Sequence, residues 1–239
     1  MIAATDMLEW GRERARAAPW RGHASVAHLT PLAPGALSTR FLHHCLEVLS
    51  ERGFVDIVTS ALTPMEAEGF LEIGFEEQER LRLLAHDLRR LPPTPRARLR
   101  RGRRGDRRDA LAVDSAAFTS FWRLDPSTFD DAITATPANR FRVAPGPRGQ
   151  SAGITGYAIS GRAGRQGYLQ RLAVSPGERR RGVGLALTID ALTWMRRRGV
   201  TRAVVNTQLD NDAALSLYER AGFRPEPSVL AVLHYRLPR

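Results

Sequence analysis

The sequence predicts a mixed α/β fold, and three stretches carry that reading. Tyr168-Leu169-Gln170-Arg171-Leu172-Ala173-Val174 is an apolar run with aromatic and β-branched members, the composition of a buried strand. Ser175-Pro176-Gly177 ends it. After Arg179-Arg180-Arg181-Gly182-Val183-Gly184, the residues Leu185, Leu187, Ile189, Leu192, Trp194 and Met195 fall mostly at helical spacing, and Gly199 closes the stretch as a C-terminal cap. Ala203-Val204-Val205-Asn206-Thr207 reads as a further strand and Asn211 to Phe223 as a further helix. Strand, glycine loop, helix, strand and helix in succession are the alternation of an α/β domain.

The glycine loop has a chemistry of its own. The first amide groups of a helix lack intrahelical acceptors and sit at the positive end of its dipole, so an anion is stabilised there. Gly182 and Gly184 let a phosphate approach the backbone without a Cβ in the way, and the three arginines add charge that no ordinary pH removes. The loop suits a pyrophosphate; an ordinary strand-to-helix turn is the alternative.

Composition bounds the class. A chain of 239 residues with 43% hydrophobic content can build a core for one large or two small domains. No stretch is apolar and long enough to span a bilayer, and Asp6, Glu9 and Glu13 stand where a signal peptide would be apolar. A cytoplasmic protein with no membrane partner is expected. Cys45, the one cysteine, leaves no internal disulfide and is expected to pack in the core; the histidines and acids show no ligand spacing, so no metal is expected. The net charge of +11 and the eight arginines between Arg96 and Arg108 suggest nucleic acid at first sight. Yet all 36 basic residues are arginine, as a G+C-rich coding bias would give, so the run is read as a solvated edge and nucleic acid is not an expected partner.

From Gly167 to Phe223 the chain resembles the GNAT superfamily of acyl-CoA-dependent N-acetyltransferases. The matching pieces are the strand ending Leu172-Ala173-Val174, the Arg-x-x-Gly-x-Gly of residues 179–184 opening a helix, and Asn-x-x-Ala-x-x-Leu-Tyr-x-x-x-Gly-Phe from Asn211 to Phe223. The resemblance implies a mixed, mostly antiparallel sheet flanked by helices, with the fourth and fifth strands splayed to admit the pantetheine arm of the cofactor. A complete domain is then expected over residues 96–239. Ala97 to Arg100 would be its first strand, Asp106 a helix N-cap, and Ser127 to Ala135 a short second helix. Asn139 to Ala144 and Ile154 to Ser160 would be strands about a turn at 145–149, with two closing strands meeting at Pro225 to Ser228.

Carried over by position, the resemblance assigns acetyl-CoA to the main chain of Leu172, Ala173 and Val174 and to Arg179, Arg180, Arg181, Gly182, Val183, Gly184 and Leu185. Asn211 is a further cofactor contact or a helix N-cap. Tyr218 matches the family's general acid. The usual strand glutamates are replaced by Gln170 and Asn206, so the base is unassigned, with Asp125 and His234 as candidates. Phe121, Trp122 and Asp125 lie in the segment that shapes the acceptor site.

Before the complete domain, Asp6 to Ala17 reads as an amphipathic helix, and residues 22–92 follow the order of the C-terminal half of the same fold without its preceding strands. Pro34-Gly35, a helix from Arg40 to Glu51, Arg52-Gly53, a strand from Val55 to Thr59 and Phe70 to Phe75 repeat the later pattern, with Ile73 or its neighbours in the place of Tyr218. Residues 1–92 are therefore expected to be a degenerate half-copy, joined through a proline linker at 93–95 to the catalytic domain. The implied activity is transfer of acetyl from acetyl-CoA to a primary amine, a protein N-terminus or a small molecule, by direct attack in a ternary complex. A catalytically faded acyl-CoA-binding regulatory or scaffold protein is the alternative, and a homodimer is among the candidate assemblies.

Overall fold

The computed structural model describes residues 6–32, 35–146 and 153–238. The chain opens in strands, β1 (Asp6–Trp10), β2 (Glu13–Trp20) and β3 (His23–Pro31), where a helix over Asp6 to Ala17 was expected. The reason lies in Arg14-Ala15-Arg16-Ala17, whose alanines are 0% and 3% exposed while the intervening arginines face outward. That is the period of a strand, and it overrides the helix propensity of alanine. Gly11, at φ +62, turns β1 into β2.

There follow α1 (Thr39–Glu51), β4 (Asp56–Thr59), α2 (Pro64–Glu72), β5 (Glu76–His86) and β6 (Arg100–Arg101). The rest of the chain is α3 (Arg107–Ala117), α4 (Pro126–Thr134), β7 (Ala138–Pro145), β8 (Ile154–Ala163), β9 (Gln166–Val174), α5 (Val183–Arg197), β10 (Arg202–Gln208), α6 (Asp212–Arg220) and β11 (Arg224–Arg236). The turn expected at 145–149 lies mostly outside the described residues. Asp106 stands at the N-cap position of α3 as expected, but its carboxylate makes no capping bond to that helix; it accepts from the Arg103 amide at 2.7 Å and pairs with Arg100. One expectation needs correction here. Pro225 to Ser228 are not a hairpin, because β11 runs unbroken through them, its exposed prolines sitting at the strand's start where a missing donor is tolerated.

The chain divides into two units, one of residues 1–83, 208–210 and 226–239 and the other of 84–207 and 211–225. This differs from a boundary at 93–95, because β11 pairs antiparallel with β4, His234 opposite Val58. In the first unit the strand order is β1-β2-β3-β4-β11, antiparallel but for β3 with β4. Phe41, Leu49, Ile57, Phe70 and Leu233 are among the residues of its core. In the second unit the order is β6-β7-β8-β9-β10, antiparallel but for β9 with β10. One core cluster there gathers Leu187, Leu192 and Met195 of α5 with Tyr218 of α6; another gathers Val113 of α3 and Phe129 of α4 with Val143, Tyr157 and Ile159.

The order β1-β2-β3-α1-β4-α2-β5 repeats as β7-β8-β9-α5-β10-α6-β11. The first copy thus has the strands that the sequence reading left out; among the described residues no counterpart of β6, α3 and α4 stands before them. The helix ends set the register. After Gly74 and Gly222, both at positive φ, Phe75 donates to the carbonyl of Phe70 and Phe223 to that of Tyr218. Phe70, rather than Ile73, stands in the place of Tyr218.

Candidate active site

The second unit's parallel pair is joined at one end only. Gln166, Gly167 and Tyr168 face Arg202, Ala203 and Val204, and there the register ends, although β9 continues to Val174 and β10 to Gln208. Leu172, Ala173 and Val174 pair with Ala158, Tyr157 and Gly156 of β8. Their edge toward β10 is therefore a row of backbone donors and acceptors without strand partners. Between the two halves β9 bulges: Arg171 faces Ile159 and Leu169 faces Ser160, leaving Gln170 as the extra residue. Leu169 packs with the α5 cluster and Ala173 with the α3 and α4 cluster, so the bulge reverses the alternation. It turns Gln170 and Arg171 to the same face.

At the end of β9 a short turn, Pro176–Glu178, leads into the glycine loop. Arg180 and Gly182 both take left-handed backbone, φ +63 and +80, alternating with residues that do not. A non-glycine residue held at positive φ, as Arg180 is, is strained, and such strain is stored where a loop is held for function. Gly182 is the N-cap of α5 and caps it with no side chain, so the first amides of α5 are open to a ligand. Pro95, expected only as a linker, lies 3.4 Å from where a Cβ on Gly182 would be. Arg181 pairs with Glu178 at 2.9 Å, Arg179 donates to the carbonyl of Ala117, and Arg180 is exposed with no ion pair among the described residues.

Among its described residues the first copy has neither device. Its parallel pair is joined along the whole of β4, from Val26 opposite Asp56 to Leu29 opposite Thr59, and the Ser60 amide extends it onto the Leu29 carbonyl. At the start of α1, the Ser38 hydroxyl accepts from the Phe41 amide, while the Glu13 carboxylate takes the Ser38 amide at 2.6 Å and its hydroxyl at 2.7 Å.

Tyr218 is 6% exposed, and burial pushes its phenol well above the ordinary tyrosine value, opposed in part by the charge of Arg171. Its ring meets Phe223, and its hydroxyl has no hydrogen-bond partner among the described residues. Asn211 is the N-cap of α6: its side-chain oxygen accepts from the Ala214 amide at 3.1 Å and its nitrogen donates to Thr207 at 3.0 Å. Asn206 is exposed on β10, and the Gln170 side-chain oxygen is buried without a hydrogen-bond partner among the described residues.

Both candidate bases are engaged elsewhere. Burial alone would raise the Asp125 carboxyl, but hydrogen bonds from Thr128 and Ser127 at the start of α4 hold it below its usual range. It is a helix cap. His234 belongs to the first unit, where it meets Asp56 at 2.9 Å, so the second unit does not contain it. Phe121 and Trp122 make an edge-to-face pair at 5.1 Å and are partly exposed.

Sequence reasoning passed over Asp114, Tyr157 and Arg171. Asp114 is 0% exposed; Arg171 grips it through two bonds of 2.7 and 2.8 Å, and the Tyr157 hydroxyl and the Leu124 amide donate to it as well. The signal was available: Asp114 shares the helical phase of the buried Ala110 and Val113, and Arg171 sits alone in an apolar strand. A cavity of about 450 Å³ lined by Trp10, Thr39, Arg40, His43, His44 and Glu47 belongs to the first unit and shares no residue with this constellation. Among the described residues there is no group of His, Cys, Asp or Glu that could hold a metal, and no helix long and apolar enough to cross a membrane. Of the 36 arginines, 26 fall in the second unit, against 11 of the 25 acidic residues.

Residues 112–223 match the model of the acetyltransferase (GNAT) family. The N-alpha-acetyltransferase 30 of Schizosaccharomyces pombe is 41% identical over 58 residues, 24% of this chain and 39% of that protein. The mycothiol acetyltransferase of Geodermatophilus obscurus is 30% identical over 175 residues, 67% of this chain and 57% of that protein. The chain thus spans less than two thirds of either relative's length. A solved tandem GNAT protein from the clavulanic acid biosynthesis pathway superposes with a TM-score of 0.70 at 14% identity, covering 95% of this chain and 79% of the other. That likeness is one of fold.

Proposed function

Residues 112–223 are an acetyltransferase domain of the GNAT family, and from that premise we propose that the second unit transfers an acetyl group from acetyl-CoA to a primary amine. A small-molecule amine is the favoured acceptor, since the match to the mycothiol acetyltransferase extends over 67% of the chain, against 24% for the protein N-terminal acetyltransferase. The observation that carries the proposal is the pairing of two openings: a helix start with no cap of its own and, leading into it, a strand edge with no partner.

The residues present fit acetyl-CoA. The open start of α5 presents amides to the pyrophosphate, and Arg179, Arg180 and Arg181 supply charge beside it. The free edge of Leu172, Ala173 and Val174 suits the amides of an extended pantetheine arm, which would add as a strand does. When bound, acetyl-CoA supplies an activated thioester carbonyl.

Tyr218 is the proton donor in this reading. Burial keeps its phenol protonated throughout the neutral range, and its hydroxyl, not held by another group, is free to donate to a departing thiolate. Neither Gln170 nor Asn206 can accept a proton, and the carboxylates of Asp114 and Asp125 are tied into hydrogen bonds. In this reading the amine attacks in its neutral form, and the proton it sheds on forming the amide passes to solvent water rather than to Gln170, Asn206, Asp114 or Asp125.

Calorimetric titration with acetyl-CoA tests the reading. A dissociation constant within the roughly 1 µM–1 mM range of ordinary substrates, lost in Gly182→Trp, is expected, with turnover of one member of an amine panel. No binding to the wild type would overturn it. Tight binding with no turnover on any amine would favour the second reading, a catalytically faded acyl-CoA binder, which the neutral Gln170 and Asn206 motivate.

A further inference from the structure

The bulge in β9 aims two consecutive side chains at one face of the sheet, and the second of them, Arg171, is almost wholly consumed in holding something. Its guanidinium has 10% of its side-chain surface exposed. Through Nε and Nη2 it forks onto Asp114, Nη2 also donates to the main-chain oxygen of Trp122 at 2.7 Å, and the guanidinium lies 3.5 Å from the centre of the Phe118 ring. Asp114 in turn accepts from the Leu124 amide at 2.8 Å and from the Tyr157 hydroxyl. The pair thus touches residues 118, 122 and 124. These are three points on the segment between α3 and α4, whose own backbone bonds include Phe118 to Asp114, and Trp122 and Arg123 to Thr119.

We propose that Asp114 and Arg171 are positioning residues that lock the segment from Phe118 to Leu124 onto β9, and so set the wall that an acceptor amine meets beside the acyl group. The inference rests on the transferase reading above. A buried, doubly bonded ion pair is a poor way to gain stability, since removing both charges from water costs about what their attraction returns. It does fix geometry: a planar guanidinium satisfied by a carboxylate, a carbonyl and an aromatic face admits one arrangement of all three. Arg171 also directly precedes Leu172, the first residue of the edge that suits the cofactor arm. One side chain therefore references the acceptor wall to the cofactor strand, at the strand's own irregularity.

The test compares Arg171→Lys, which keeps the charge beside Asp114 and loses the fork, with Tyr157→Phe, which removes one hydrogen bond and leaves the fork. Amide hydrogen exchange, calorimetry with acetyl-CoA, and amine kinetics are read on each. In Arg171→Lys, exchange across residues 118–124 is expected to accelerate by roughly tenfold or more, with β8 and α5 still protected. The dissociation constant of acetyl-CoA should stay within about twofold, while the KM for the amine rises roughly tenfold. Tyr157→Phe should leave residues 118–124 as protected as in the wild type. Unchanged exchange in Arg171→Lys overturns the proposal, and so does acceleration spread equally over β8 and α5 with acetyl-CoA binding lost. The exchange result stands whether or not an amine turns over, so a failure of the transferase reading is seen separately.

Discussion

Glu13 reaches from β2 to the start of α1 and takes both the amide and the hydroxyl of Ser38, so the first copy carries its own anion where the second copy leaves a helix start bare. The carboxylate satisfies donors that a phosphate would otherwise seek. The closed β3–β4 pair then leaves no gap beside it. One copy has an open helix start, and in the other a carboxylate plugs it.

Removing that plug should cost stability and leave ligand binding alone. Glu13→Ala is expected to lower the unfolding free energy by about 1 kcal/mol, the scale of a lost N-terminal cap, and to leave acetyl-CoA titration unchanged. Urea unfolding and calorimetry measure the two. A shift in acetyl-CoA affinity with no loss of stability would count against the plug.

Tyr218→Phe separates binding from chemistry. It removes an unpartnered hydroxyl and changes little else, because the ring contact with Phe223 remains. Affinity for acetyl-CoA should hold while kcat falls by roughly a hundredfold, the usual contribution of a positioned proton donor. An unchanged kcat would take Tyr218 out of the mechanism.

Since the carboxylates of Asp114 and Asp125 are engaged, kcat/KM should follow the acceptor's own titration. It should rise about tenfold per pH unit up to the amine's pKa, with no inflection in the carboxylate or histidine range. Repeating the profile with amines of different pKa checks this. An inflection that stays fixed as the amine changes would reveal a base on the protein.

The first unit should be sensitive to mild acid through His28. Burial, and then the charges of Arg16 and Arg21, depress this imidazole to about 3. A group whose folded pKa lies below its unfolded value of 6.5 contributes fully above that value. Its contribution is lost as pH falls from 6.5 toward 3, because only the unfolded chain readily takes the proton. The loss should be on the order of 1 kcal/mol per pH unit. His28→Gln should flatten the curve measured by urea unfolding between pH 6.5 and pH 4, a range set by the depressed imidazole; an equal slope in both proteins would exclude His28 as its source.

The concentration of arginine in the second unit should draw a polyanionic ligand in. Association with acetyl-CoA is expected to slow by roughly tenfold between low and high salt, as the screening length shrinks. Stopped-flow mixing measures it, and a rate indifferent to salt would mean the charge serves another end.

The second unit was largely legible in the sequence because its signals are local. The strand ending in Val174, the glycine at the N-cap of α5 and the Asn211 cap on α6 each follow from a few neighbouring residues. The first strands were not, since Ala15 and Ala17 are good helix formers whose burial depends on partners in β3. Nor was the partnership of Asp114 with Arg171, which are separated by 57 positions, or that of Glu13 with Ser38, separated by 25. His234 was assigned to the wrong unit for the same reason: a strand's sequence does not name the neighbour it will pair with.

The pairing of β4 with β11 also sets a timetable. Asp56 meets His234 across 178 positions, and the Thr59 hydroxyl accepts from the Leu233 amide across 174. On a ribosome, the residues of β4 emerge long before the strand that covers them, and the second unit's whole sheet is synthesised in between. The part made first is therefore finished last, and an open strand edge waits in the nascent chain throughout, the kind of surface that chaperones shield and that misassembles when they do not.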